Sequence, residues 1–344
     1  MTEALRITFT VDPELPVPPS YYGGVERIAD IVVRGLSARG HAVMLVAHPA
    51  STVTVPLVPW PGRSSRSFID TLRNTAVLAR HVASFRPDVI ASFSRIAYLA
   101  PLLPLEVPKV MTYHRAITPR SVRLGHALSR GSLEFTTISE WSLRDVRGIG
   151  RWTLVPNGIP LDTYTFQATT APDAPFVFLG RIEEIKGPHL AIELARRCGR
   201  KLVIAGNIPD EKWRWVESEV MPHVDGEKVI YIGPVNDAQK NTLLGEAEAL
   251  LMPILWDEPF GLVMAEALAC GTPVLGLRRG AVPEVVDDGV TGFVCDTLDE
   301  LVAAAAGLPS ISRAACRAAV EARYSDAVVV DGYEAVYRRA AARG

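Results

Sequence analysis

The chain has 344 residues, 48% hydrophobic and 22% charged, with a net charge of −2, which are the proportions of a soluble globular protein and exclude a disordered or fibrous one. It is too long for one ordinary α/β core and fits two domains of roughly 150 residues each. No apolar run approaches the roughly 18 residues a membrane helix needs, and MTEALRITFTVDPELP enters a strand rather than a signal peptide.

Ile7 to Val11 (ITFTV) is β-rich and opens the first sheet. The proline-rich stretch DPELPVPPSYYGG forbids helix and favours an extended course. Gly23 and Gly24 lead into a predicted helix, VERIADIVVRGLSARG, with apolar positions at Val25, Ile28, Ile31, Val32 and Leu36. Gly40 ends it and the strand AVMLVAH follows, so strand, glycine turn, helix and strand make a βαβ unit of a Rossmann-like half. GGVER is not G-x-G-x-x-G, and alone it reads as a turn. Further strands are expected at Val53–Val58, Val89–Phe93 and Lys109–Tyr113, with a helix from Phe68 to Phe85 between the first two. The third ends in His114 and Arg115, at the carboxyl edge where open α/β sheets gather ligands. A basic helix (RSVRLGHALSR), the strand EFTTIS and the string WTLVPNGIPLD close a first domain over residues 1–157.

A second domain, residues 158–325, opens with FVFLGRIEEIKGPHLAIELARRC, read as strand, loop and helix. Arg181 ends the strand and Lys186 follows five residues later. Two cations at one sheet edge repel unless an anion, such as a diphosphate, lies between them. KLVIAG, VIYIGPV and ALLMPI are three further buried strands, each followed by a helix. The stretch LLMPILWDEPFGLVMAEALACGTPVLG then reads as a strand from Leu250 to Leu255, a polar turn, a helix from Gly261 to Cys270, and a second strand. Gly271 and Pro273 stop that helix. Its N-terminus offers the free N–H groups of Phe260, Gly261, Leu262 and Val263, an anion site suited to a diphosphate. Glu258 and Glu266 bracket this site, an odd place for negative charge unless each has a separate partner. Carboxylates accept paired hydrogen bonds from vicinal hydroxyls, so a diphosphate between a ribose and a hexose uses all three features. The string RRGAVPEVVDDGVTGFVCD reads as scaffold, with Glu284 near the loop, and residues 326–344 as a C-terminal helix.

EPFGLVMAEALACGTPV resembles the E-x7-E signature of glycosyltransferase family 4, the retaining nucleotide-sugar glycosyltransferases of GT-B fold. The resemblance covers most of the chain, strongly over residues 176–296 and weakly in the first domain. It implies two Rossmann-like parallel-sheet domains facing a cleft, with the C-terminal helix crossing back to the N-terminal domain. It implies that Glu258 contacts the donor hexose and Glu266 the ribose hydroxyls, and that Arg181 and Lys186 clamp the diphosphate. Gly23 and Gly24 match a loop that approaches the diphosphate from the first domain. His114 matches a residue that contacts the transferring sugar, and Gly233, Pro234 and Val235 a turn that seats the nucleobase through backbone atoms. Asn157 and Gly158 match the passage between domains.

The implied reaction moves a hexose from a UDP- or GDP-sugar to a hydroxyl of a glycan, glycolipid or natural product, with no cofactor and no metal. The alternatives are a nucleotide-sugar 2-epimerase on the same fold and a non-catalytic nucleotide-sugar-binding subunit. Cys198, Cys270, Cys295 and Cys316 lack metal-like spacing and read as reduced thiols of a cytoplasmic protein. Charge is uneven: residues 1–157 hold 18 Lys and Arg against 11 Asp and Glu, and residues 158–344 hold 18 against 27. Arg63, Arg66, Arg73, Arg80, Arg86, Arg115, Arg120, Arg123 and Arg130 dominate the basic half. They suggest either an anionic partner, such as an acidic saccharide or a lipid-linked acceptor at the inner membrane face, or a solvated basic surface. No nucleic-acid signature accompanies them.

Overall fold

The computed structural model describes residues 3–19 and 23–343, so Ser20, Tyr21 and Tyr22 of the proline-rich stretch lie outside the described residues. The chain forms two compact units. One runs through Asn157 and resumes at Asp326; the other is Gly158–Ser325.

In the first unit, β1 (Arg6–Thr10), β2 (Ala42–Ala47), β3 (Leu57–Pro59), β4 (Val89–Ser92), β5 (Lys109–Tyr113), β6 (Leu133–Thr137) and β7 (Trp152–Leu154) make one sheet. The order is β3-β2-β1-β4-β5-β6-β7, and every neighbouring pair is parallel. The inner strands are mostly buried, β4 and β6 at every residue, as a sheet covered on both faces requires. Helix α1 (Gly24–Ala38) buries Ile28, Ile31, Val32 and Leu36, four of the five apolar positions read from its period. Helix α2 is Phe68–Phe85, with Ser67 as its N-cap, and α3 is Pro119–Leu128. The third strand is shorter than expected. Pro56 has no N–H to give an edge ladder, and pairing starts only at Leu57.

In the second unit, β8 (Phe176–Leu179), β9 (Leu202–Ala205), β10 (Val229–Tyr231), β11 (Ala249–Met252), β12 (Val274–Leu277) and β13 (Gly292–Cys295) run parallel in the order β10-β9-β8-β11-β12-β13. Around them lie α4 (Pro188–Arg197), α5 (Trp213–Glu219), α6 (Asp237–Glu246), α7 (Leu262–Ala269), α8 (Val282–Val285), α9 (Leu298–Ala304) and α10 (Arg313–Arg323). Phe176, Phe178, Leu202, Ile204, Leu251 and Leu275 pack with Leu194 and Ala195 in one core. Strand order reverses between β1 and β4 in one sheet and between β8 and β11 in the other. Such switch points leave a crevice outside the carboxyl ends of the strands, where ligands bind in this architecture.

The last helix, α11 (Asp326–Ala341), belongs to the first unit and packs on α1. Gly35 permits the close approach, because a Cβ there would lie 2.4 Å from Val330 Cγ2. Polar contacts fix its position. Arg39 reaches Glu334 and Asp331 at 2.6 Å each, and Arg338 and His41 also bond Glu334. The Arg39 hydrogen bond, helped by Arg338 and His41 against the cost of burial, holds the Glu334 carboxyl down to about 2. The four cysteines are unpaired, and burial pushes the Cys270 and Cys316 thiols up to about 12, which leaves them protonated and unreactive.

Candidate active site

The carboxyl edge of β8 and β11 gathers most of the residues singled out in the second half of the sequence. The strand expected to reach Leu255 stops at Met252, because the chain then turns onto the loop before α4. Leu255 N–H donates to the Ile185 carbonyl at 2.9 Å, and Gly187, at φ +76°, leaves room for the Pro253 carbonyl, which a Cβ would strike at 2.1 Å. That contact sets Lys186 beside Glu258. Lys186 Nζ donates to Glu258 Oε2 at 2.6 Å and lies 4.5 Å from the centre of the Trp256 ring. From the other side, the Ala281 N–H bonds the Glu258 carbonyl at 2.8 Å and the Gly280 N–H bonds Asp257 at 3.1 Å. So the G-A-V-P-E string buttresses this loop, and Glu284 stands on α8 just behind it.

Helix α7 starts at Leu262 with Gly261 as its left-handed N-cap, at φ +80°. The N–H groups of Phe260, Gly261, Leu262 and Val263 have no acceptor among the described residues. The Phe260 ring itself is core, 5.4 Å edge-on to Tyr324, so only its backbone is available to a ligand. Glu266, one turn in from that end, is 7% exposed. Its Oε1 accepts from Lys240 Nζ at 2.6 Å and from the Tyr164 hydroxyl at 2.8 Å. Each carboxylate at this positive helix end therefore has its own lysine, Lys186 for Glu258 and Lys240 for Glu266. Lys240, Tyr164 and Trp256 carry no local sequence signal that would have flagged them. Only Trp256, two residues before Glu258, is near a motif.

Arg181 follows β8 and pairs with Glu183 at 2.8 Å. The two cations expected to need an anion between them are thus each balanced by a carboxylate of the same unit. Gly233, at φ +77° after β10, accepts from the Gly206 N–H at 2.9 Å, and Val235 follows it just before the Asn236 capping box of α6.

In the first unit, the carboxyl edge places His114 after β5, its ring 4.6 Å from that of Phe93. Both ring nitrogens are buried with no hydrogen-bond partner among the described residues, as is Asn157 Oδ1. Asn157 lies near the ring without a hydrogen bond to it. Burial, only partly offset by Asn157, pulls His114 down to about 3, so the imidazole is neutral. Gly23 and Gly24 open α1, and the bare Cα of Gly23 is faced by a carboxylate: a Cβ there would lie 2.9 Å from Glu26 Oε2. Among the described residues no three His, Cys, Asp or Glu side chains converge as a metal set.

The family model for glycosyl transferases group 1 matches residues 166–323, and that for Glycosyltransferase Family 4 matches residues 22–163. Glycogen synthase of Mycobacterium tuberculosis is 29% identical over 253 residues, covering 65% of this chain but only 60% of that protein. A solved glycosyltransferase involved in avilamycin A biosynthesis aligns over 98% of both chains, with a TM-score of 0.75 and 24% identity. An Anabaena protein solved with UDP-glucose aligns over 97% of this chain and 100% of its own, with a TM-score of 0.74 and 16% identity. These structures show the GT-B fold.

Proposed function

Because the chain belongs to glycosyltransferase family 4, we propose that it moves a hexose from a UDP- or GDP-sugar to an acceptor hydroxyl with retention of anomeric configuration. The observation that carries this reading is the pair of lysine-balanced carboxylates, Glu258–Lys186 and Glu266–Lys240, at the free N–H groups of α7. In this reading the diphosphate lies on those N–H groups with Arg181 and Lys186, the hexose on Glu258 and the ribose on Glu266. Gly233 and Val235 hold the base, and His114 meets the sugar as a neutral hydrogen-bonding group. The acceptor oxygen bonds to the anomeric carbon while the bond from that carbon to the diphosphate oxygen breaks. The acceptor's proton passes to the departing phosphate on the same face. Preorganised positive groups around a leaving diphosphate are often the largest catalytic contribution. The Anabaena neighbour's UDP-glucose supports a nucleotide-sugar donor.

A panel of UDP- and GDP-sugars read by thermal shift identifies the donor, since a ligand at 100 times its Kd stabilises by roughly 2.7 kcal/mol. NMR of the product anomer tests retention, and an inverted product refutes it. We expect transfer to survive EDTA, because Arg181 and Lys186 supply the charge a divalent ion would. Full inhibition reversed by Mn²⁺ would show that these cations do not suffice.

The cellular setting we propose is the cytoplasm, with peripheral contact to an anionic membrane. No helix among the described residues is long and apolar enough to cross a bilayer. The first turns of α2, however, expose Phe68 by 75%, Ile69 by 61% and Leu72 by 54%, beside the exposed Arg63, Arg66 and Arg73. Apolar side chains flanked by arginines suit the headgroup boundary, where each basic residue contributes about 1 kcal/mol. The chain is expected to co-sediment with anionic vesicles at low salt and to release at high salt. Absence of binding at low salt would leave the arginines as a solvated surface.

A further inference from the structure

The crevice at the switch point of the first sheet, outside β1 and β4, holds side chains that the reading above does not use. Asp12, two residues past β1, is 7% exposed. Its Oδ1 accepts from the Arg95 N–H at 3.0 Å, joining the two strand ends, and its Oδ2 lies 3.8 Å from Arg115 Nη2. Glu26, in the first turn of α1, is 4% exposed, with Oε2 against the Gly23 backbone. The buried hydroxyls of Thr10, Ser92 and Ser94 bond one another at 2.7–3.1 Å beneath them. Along the same edge lie the unpartnered atoms already noted, both His114 ring nitrogens and Oδ1 of Asn157, a residue 6% exposed. Burial is the main cause that raises the Asp12 carboxyl to about 6 and also raises that of Glu26. Glu14 adds to both, and Arg115 opposes both.

This edge is built against anions. It presents two buried carboxylates, a third at Glu14, a neutral imidazole and an amide. Of the cations whose charge reaches Asp12, Arg115 is 71% exposed and only loosely paired, and Arg95 acts more weakly still. All the other groups suit hydroxyls: carboxylates accept from them, and the imidazole and amide can donate or accept. An acceptor phosphate or carboxylate here would face like charge in a poorly solvated crevice. Resting on the transferase reading, we propose that the acceptor group held at this edge is a neutral polyol, an uncharged sugar or cyclitol. Asp12 and Glu26 fix its hydroxyls and exclude acceptors charged at that end. The acidic-saccharide alternative raised by the basic surface is thereby set aside at this edge, where Arg115, one of those arginines, already faces Asp12.

The test compares methyl glucoside, free glucose and myo-inositol with glucose 6-phosphate, glucuronate and myo-inositol 1-phosphate, in the wild type and in Asp12→Asn, Glu26→Gln and the double variant. Acceptor-dependent release of UDP or GDP measures turnover. Saturation-transfer NMR with UDP or GDP present measures binding of the same six compounds. At least one neutral compound is expected to bind and react at least about tenfold better than its charged counterpart, with the ratio falling about tenfold in the double variant. Preference of the wild type for a charged compound, an unmoved ratio in all variants, or binding of no neutral compound overturns the proposal. Binding of UDP- or GDP-sugars to the wild type reports on the parent reading separately. If they bind and the acceptor pattern is absent, the acceptor assignment alone has failed.

Discussion

Glu258→Gln is expected to lower the transfer rate by at least about 10²-fold while UDP and GDP bind as tightly as before or more tightly. The rate loss follows from position and charge. A carboxylate that orients the hexose forms charge-assisted hydrogen bonds worth about 1.5–3 kcal/mol, and small misplacement of a reacting group can cost about 10²-fold. The nucleotide effect has the opposite sign because of Lys186. Its Nζ is held at 2.6 Å by Glu258 Oε2 in a pair only 16% and 12% exposed. The neutral amide keeps a hydrogen-bond acceptor but not the charge, so the lysine turns its full attraction to the diphosphate. Steady-state rates and calorimetric Kd values for UDP and GDP check both halves. Wild-type turnover would remove Glu258 from the chemistry, and weakened nucleotide binding would show that the pair, not the sugar, is what Glu258 serves.

That pairing shows where sequence reasoning stops. The turn into α7 is local, so Pro259, Gly261 and the apolar run behind them reveal the helix end and its free N–H groups. The partner that lets Glu258 sit there lies 72 residues earlier, and those of Glu266 lie 26 and 102 residues away. The pairing of β8 with β11 brings Lys186 to Glu258, the packing of α6 on α7 brings Lys240 to Glu266, and no spacing rule reports either. The same holds for Asp12 and Arg95, 83 residues apart and joined across the β1–β4 switch point. Periodicity located α1 and its buried face but not the environment of the first turns of α2. Phe68, Ile69 and Leu72 carry apolar side chains that an amphipathic reading would turn inward, yet they are exposed. Pro56 shortened a strand that β propensity alone would extend. Family resemblance supplied roles for Arg181 and Lys186, while the structure adds that each already has a carboxylate partner.

Glu266→Ala is expected to weaken UDP or GDP binding by about 10–10²-fold, the loss of charge-assisted bonds of about 1.5–3 kcal/mol to the ribose hydroxyls. Structure alone could also produce such a loss. Removing Glu266 leaves Lys240, 8% exposed, with Asp237 at 3.3 Å as its remaining counter-charge, and takes away the acceptor of the Tyr164 hydroxyl. A buried cation left with only that partner would lower stability and could deform the turn before α6, the proposed seat of the base. Two comparisons separate the causes. Tyr164→Phe removes one support of Glu266 Oε1 but keeps its charge, so it should weaken nucleotide binding much less than Glu266→Ala. The 2′-deoxy nucleotide lacks a hydroxyl that Glu266 would accept from. Wild type should therefore prefer the ribonucleotide, and Glu266→Ala should bind the two equally, whatever its stability. If the variant keeps the wild-type preference, Glu266 is a buried partner for Lys240 and the ribose is held elsewhere.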